Sequence, residues 1–304
     1  MAIPAWTKEE RAHLQALQGK LDHVRDVVGG VVKRYHTGAL LHGEGGTGKS
    51  YTVMEELRRL KANCVCHNSR MTARGLVDHL QRCPDDIHLI EDAETLMEDK
   101  KSFGVLRSAL WSQSRKKPAE REITWSAFRM PIRFVFTGGI IIISNVNLAE
   151  EVPEVRALKT RINVLGLDID NQQIRALMKK ICEAGEKVGE DYMTPDECWE
   201  VSTFIIDKLE LLHRNLDLRL LRNGFRDYLQ YKKGDSKTHW QVLLEGRMAE
   251  RVVYQGRAKT KDDEHRTALE IHRMLIPAGE KYKLFHGRTG LSEKAYYRAL
   301  NRKK

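Results

Sequence analysis

The chain has 304 residues, 41% of them hydrophobic, and a formal net charge of +10. This is enough for two domains, or for one α/β domain with attachments, around a real core. No apolar run approaches the ~20 residues of a membrane span, and the first ten residues lack a basic-then-apolar signal pattern; no membrane segment is expected, and the expected location is the cytoplasm. The positive charge suits a polyanionic partner without identifying one.

In chain order, Lys8 to Val32 has a helical pattern. Thr7 and Glu10 have the spacing of a capping box, and Leu14, Leu17, Leu21 and Val24 recur at three- and four-residue steps. Gly29-Gly30 is expected to interrupt the helix, with Val31 to Tyr35 leading toward the first core strand. A helix in this position can cover a ligand held by the adjoining segment. A short strand, Ala39-Leu40-Leu41-His42, runs into Gly43-Glu44-Gly45-Gly46-Thr47-Gly48-Lys49-Ser50, and a helix begins at Tyr51. The spacing G-x-x-x-x-G-K-S between a strand and a helix is that of a phosphate-binding loop. Its glycines let the backbone wrap a phosphate closely, and successive N–H groups form a nest at a helix N-terminus, where the dipole favours anions. Lys49 is placed to reach β- and γ-phosphates, and the Ser50 hydroxyl to hold Mg²⁺.

Residues 62–68 read as a second strand. Its Cys64-Val65-Cys66-His67 superficially resembles a metal site, but it has no second C-x-x-C or H-x-x-x-H partner. With Cys83, Cys182 and Cys198, these cysteines are expected to be buried free thiols. Thr72 to Leu80 reads as a helix burying Leu76, Val77 and Leu80. The strand Ile87-His88-Leu89-Ile90 then ends in Glu91-Asp92. Adjacent carboxylates at a strand end, downstream of a phosphate loop, suit a pair in which one holds the Mg²⁺ shell and the other activates water. The individual roles stay open, including the arrangement with Asp92 on the metal and Glu94 as base. Glu94 to Gln113 is expected to be one helix, with Leu96, Phe103, Leu106, Leu110 and Trp111 apolar. A basic stretch (Arg115, Lys116, Lys117, Arg121) precedes two short strands, 123–125 and 134–136. Four consecutive isoleucines, Ile140 to Ile143, suit a central parallel strand buried on both faces. Ser144-Asn145 comes next, at the carboxyl end, where α/β sheets bind ligands. Asn145 is a candidate to touch the γ-phosphate or the attacking water; a simple turn residue is the alternative.

Phosphate loop, Glu91-Asp92 strand and Asn145 strand together resemble, in order, the Walker A, Walker B and sensor-one motifs of the AAA+ ATPases. The resemblance covers about residues 31–231 and implies ATP and Mg²⁺ as ligands, a P-loop parallel-sheet sandwich with an α-helical lid, and hydrolysis at the interfaces of a homo-oligomeric ring or filament. In that family the carboxylates usually run Asp then Glu; here the order is reversed. Arg161, with Arg156 as second choice, looks like the arginine finger, which stabilises charge on a neighbouring subunit's transferred phosphoryl group. Tyr51 falls with the loop among the nucleotide contacts. Residues 171–231 resemble the lid, whose sensor-two arginine matches Arg219, with Arg222 as a fallback. The short strands before Asn145 look like a hairpin that in some relatives meets DNA or a partner.

The expected division is an N-terminal helix (1–30), an α/β core (31–168), a lid (169–231), a linker and helix (232–255) and a basic segment (256–304). The last contains 13 Lys or Arg against 6 Asp or Glu. A helix is expected over His265 to Leu275. The run from Arg288 to Leu300 is similar to the second half of a helix-turn-helix and can present Lys294, Tyr297 and Arg298 to DNA; a tail docked on its own lid is the alternative. Three functional readings are open: an ATPase driving assembly on DNA in replication, helicase loading or transposition of phage or mobile-element type; a nucleotide-gated binding module with little turnover; and, third, a remodeller of protein partners.

Overall fold

A computed structural model describes the chain apart from residues 1, 68–70, 93–95, 97–98, 112–116, 127–130, 146–158, 213, 250–267, 269–270, 273–280, 283–284, 286–292 and 301–304. It forms two compact units, Met1–Lys237 and Thr238–Lys304. No helix among the described residues is long and apolar enough to cross a membrane.

The first unit opens with α1 (Lys8–Val32). Both capping-box bonds form: the Glu10 amide donates to Thr7 Oγ1 (3.1 Å) and the Thr7 amide to Glu10 Oε2 (2.9 Å). Gly29-Gly30 does not interrupt the helix, contrary to the reading from composition. The two glycines lie inside its last turns, where the Gly29 and Gly30 carbonyls take the amides of Lys33 and Tyr35 and close the helix end. Packing of Val24, Val27, Val28 and Val31 into the core outweighs the ~1 kcal/mol helix penalty of each glycine.

Strand β1 (Gly38–His42) leads to α2 (Lys49–Arg59), and β2 (Cys64–His67) to α3 (Ala73–Arg82). After β3 (Ile87–Glu91) comes α4 (Lys100–Leu110). The continuous helix expected from Glu94 to Gln113 is therefore broken. Asp99 has extended backbone and caps α4, its carboxylate accepting from the amides of Lys101 (3.3 Å) and Ser102 (3.0 Å). Trp111 is also extended and 47% exposed rather than part of the apolar face.

An antiparallel hairpin, β4 (Arg121–Trp125) with β5 (Ile132–Phe136), precedes β6 (Gly139–Ser144) and β7 (Asn163–Gly166). The main sheet is wholly parallel in the order β2-β3-β6-β1-β7. This is a doubly covered α/β sheet, and the isoleucine strand β6 takes its centre, with all six residues buried. The lid comes next as α5 (Asn171–Ala184), a small hairpin of β8 (Glu186–Val188) and β9 (Asp191–Met193), α6 (Pro195–Leu211) and α7 (Leu218–Lys232). Capping boxes at Asp170/Gln173 and Thr194/Glu197 start α5 and α6. Helix α1 also straps onto the lid. The buried Lys179 ammonium of α5 bonds Glu10 Oε2 (2.7 Å) and the Ala5 carbonyl (3.2 Å), with the Trp6 ring 4.8 Å away.

In the second unit the described helices are α8 (Trp240–Ala249) and α9 (Glu293–Leu300). Ala268, Ile271, Phe285 and Tyr296 form its small core. Most of the helix expected over residues 265–275, and the turn before α9, lie outside the described residues.

All five cysteines are free, but only Cys182 and Cys198 are buried. Cys66 is exposed because β2 is an edge strand. Burial, with the neighbouring Cys66 thiol, pushes the Cys64 thiol up to about 12.

Behind the edge strands His67 and His88 share a buried hydrogen bond (3.1 Å). The Cys83 carbonyl accepts from His88 Nε2 (2.8 Å), which leaves His88 Nδ1 to accept from His67 Nε2–H. This chain works only with both rings neutral. Burial, then the neighbouring His88 and His79, depress His67 to about 4; burial also lowers His88. Between pH 6.5 and about 4 the unfolded chain takes up a proton that folded His67 refuses, so stability falls as pH falls, by up to about 3 kcal/mol at ~1.4 kcal/mol per unit. Melting temperatures recorded from pH 7.5 to 4.5 should drop below pH 6.5, and His67→Gln should make that drop shallower. An unchanged slope in the variant would exclude His67 as its source.

Candidate functional site

The parallel register decides which residues meet. His42 pairs with Ser144 and Glu91 with Ile143, so β1, β6 and β3 end at one level. The glycine-rich loop, Asn145 and Asp92 all lie just beyond those ends. The loop needs its glycines: Gly43, Gly46 and Gly48 have φ of 148°, 76° and 90°. At Gly46 a Cβ would also overlap the Asp217 carboxylate. Gly48 is the N-cap of α2 and supplies no side-chain cap, so the first-turn amides are not satisfied in that way. Lys49 is only 4% exposed and its ammonium donates to the carbonyls of Gly43 (2.8 Å) and Glu44, which fixes it across the mouth of the loop.

A cavity of about 480 Å³ opens over this loop. Gly46 to Tyr51, with Asn145, line its floor. Leu21, Leu177, Ile181 and Leu218 form apolar walls drawn from α1, α5 and α7. Arg219 and Arg222 enter from the lid; Arg222 lies over the Tyr51 ring (5.3 Å) and 3.7 Å from Glu186 Oε1. Arg25 and Glu55 also line the cavity and pair weakly with each other at 3.4 Å. The sequence pattern marks Leu21, Leu177 and Ile181 only as members of apolar helix faces. Nothing in it singles out Arg25 or Glu55.

Asn145 lines the cavity and also donates from Nδ2 to Asp92 Oδ1 (2.9 Å). Asp92 sits in the left-handed region (φ 50°), a turn that an Asp tolerates better than most residues. Neither Glu91 nor Asp92 is among the lining residues, so the carboxylates stand behind Asn145. Glu94 and Arg156 lie outside the described residues. Arg161 is not in this cavity; its guanidinium lies 5.7 Å from the Trp111 ring, before the start of β7.

No family model and no curated protein matches the chain. Among solved structures it is similar to the Thermotoga maritima RuvB Holliday junction branch migration motor, at 12% identity and a TM-score of 0.42, over 93% of this chain and 86% of that one. A single-substitution variant of the same motor gives 14% identity and a TM-score of 0.48 over the same shares. A likeness at this level assigns no activity.

Proposed function

We propose that the cavity binds Mg·ATP and that the chain is an ATPase of the AAA+ kind, working as a homo-oligomer on DNA. The observation that carries this reading is the open glycine nest at the uncapped start of α2, continuous with an apolar slot between α1 and the lid. The nest suits phosphates and the slot suits a base. Lys49 would hold the β- and γ-phosphates, and Ser50 with Glu91 or Asp92 would hold Mg²⁺. The metal, when bound, neutralises phosphate charge. The remaining carboxylate takes a proton from water, oriented by Asn145, while Arg219 reaches the phosphates from the lid. In the second unit Lys294, Tyr297 and Arg298 are exposed on α9, away from buried Tyr296. Cations beside an aromatic ring suit phosphate and base contacts.

A nucleotide-gated binding module with little turnover is favoured by one observation, the position of both carboxylates off the cavity wall. Turnover of ATP with and without DNA separates the two readings. The ATPase reading expects hydrolysis that rises on DNA addition, lost in Asp92→Asn or Glu91→Gln with ATP binding retained. Normal turnover in both variants would remove the carboxylate pair from the mechanism. Binding without turnover in the unsubstituted protein would establish the module.

A further inference from the structure

The phosphate loop carries an acidic residue where it is to receive an anion. Glu44 is exposed, the second residue of the loop, and its charge opposes any phosphate held there. It is not loose. Asn215, in the turn before α7, donates from Nδ2 to both Glu44 carboxylate oxygens (3.0 and 3.2 Å). Asn171, at the start of α5, donates in turn to Asn215 Oδ1 (3.3 Å), and its own Oδ1 accepts the Leu216 amide (2.9 Å). The relay fixes the Asn215 amide in one orientation, nitrogen toward Glu44 and oxygen toward Asn171. Two residues on, the Leu218 amide donates to the Gly46 carbonyl (3.0 Å), and the Asp217 carboxylate lies against Gly46 in the space a Cβ would fill. The lid thus grips the loop at Glu44 and at Gly46, on the segment that leads straight into Arg219.

The geometry points to Asn215 as a positioning residue that draws the Glu44 carboxylate off the phosphate nest and onto the lid. Lid docking then removes a repulsive charge and orders the loop together. Nucleotide affinity is linked to the lid through this relay, without Asn215 touching the nucleotide. The effect on affinity rests on the ATP reading above; the grip on the loop does not.

Two measurements separate these parts. Amide hydrogen exchange over residues 43–50, in nucleotide-free protein, reads the grip alone. Titration with a fluorescent ATP analogue in MgCl₂ reads the charge. Asn215→Leu should speed exchange across the loop and weaken binding by about tenfold, an effect that shrinks as added salt screens Glu44. Glu44→Gln in the same background should restore affinity and leave exchange fast, since it removes the charge and not the slack. Should Asn215→Leu fail to fold, Asn171→Leu breaks the relay one step away and should give the same pattern more weakly. Unchanged exchange in the folded variant overturns the proposal. So does a binding defect that persists in full in the Glu44→Gln background, because a purely structural loss is indifferent to that charge. If the unsubstituted protein does not bind the analogue, the ATP reading falls, and fast exchange in Asn215→Leu still supports the grip.

Discussion

Lys49→Ala should lower ATP affinity by about 10²–10³-fold. The ammonium is buried at the mouth of the loop, and each charge-assisted contact it makes to phosphate oxygens is worth ~1.5–3 kcal/mol, of which two are lost together. The same substitution also removes the bonds to the Gly43 and Glu44 carbonyls. Those neighbours are backbone groups at the protein's edge, so the stability cost is ~1 kcal/mol, a few degrees in melting temperature. Calorimetric titration beside a thermal melt tells the two effects apart. A folded variant with unchanged affinity and turnover would end the phosphate-loop assignment.

Arg161→Ala should bind ATP normally and lose ~10³-fold or more in turnover, the size of effect that an arginine finger supplies. The sheet explains why this residue cannot serve its own site. Asn163 pairs with Ala39, near the start of β1, whereas the phosphate loop begins beyond the end of that strand at Gly43. Arg161 precedes Asn163 by two residues, so it sits about six strand residues, or ~20 Å at ~3.3 Å per residue, from the loop. An arginine side chain does not span that distance. Trp111, half-exposed, lies beside the guanidinium at the opposite end of the sheet. Mixing Arg161→Ala with Asp92→Asn subunits, each inactive alone, should restore part of the activity, because some interfaces join the intact carboxylates of one to the intact arginine of the other. A titration of mixing ratio at fixed total protein measures it. Co-assembly without rescue at any ratio would make Arg161 structural, and the same mixture with Arg156→Ala would then test the second arginine.

What residues alone determined about this protein is local or strongly patterned. The phosphate loop is contiguous, and its glycines, lysine and serine are fixed by spacing. Four adjacent isoleucines have no solvent-facing alternation, so β6 had to be a central strand. The Thr7 and Thr194 caps arise from side chains three residues from their partners. Where the pattern misled, a longer-range term won: Val24 to Val31 packing carried α1 through Gly29-Gly30, and the Asp99 carboxylate started α4 afresh inside an apolar periodicity that ran on past it. Only the tertiary structure decided that β6 lies between β1 and β3, which brings Asn145 to Asp92 from 53 residues away. It also gathered Leu21, Leu177 and Leu218 into one cavity and set Asn215 on Glu44, 171 residues apart in the chain. Strand order and lid docking depend on which buried faces fit one another across the molecule, a property of pairs of distant residues that no local spacing encodes.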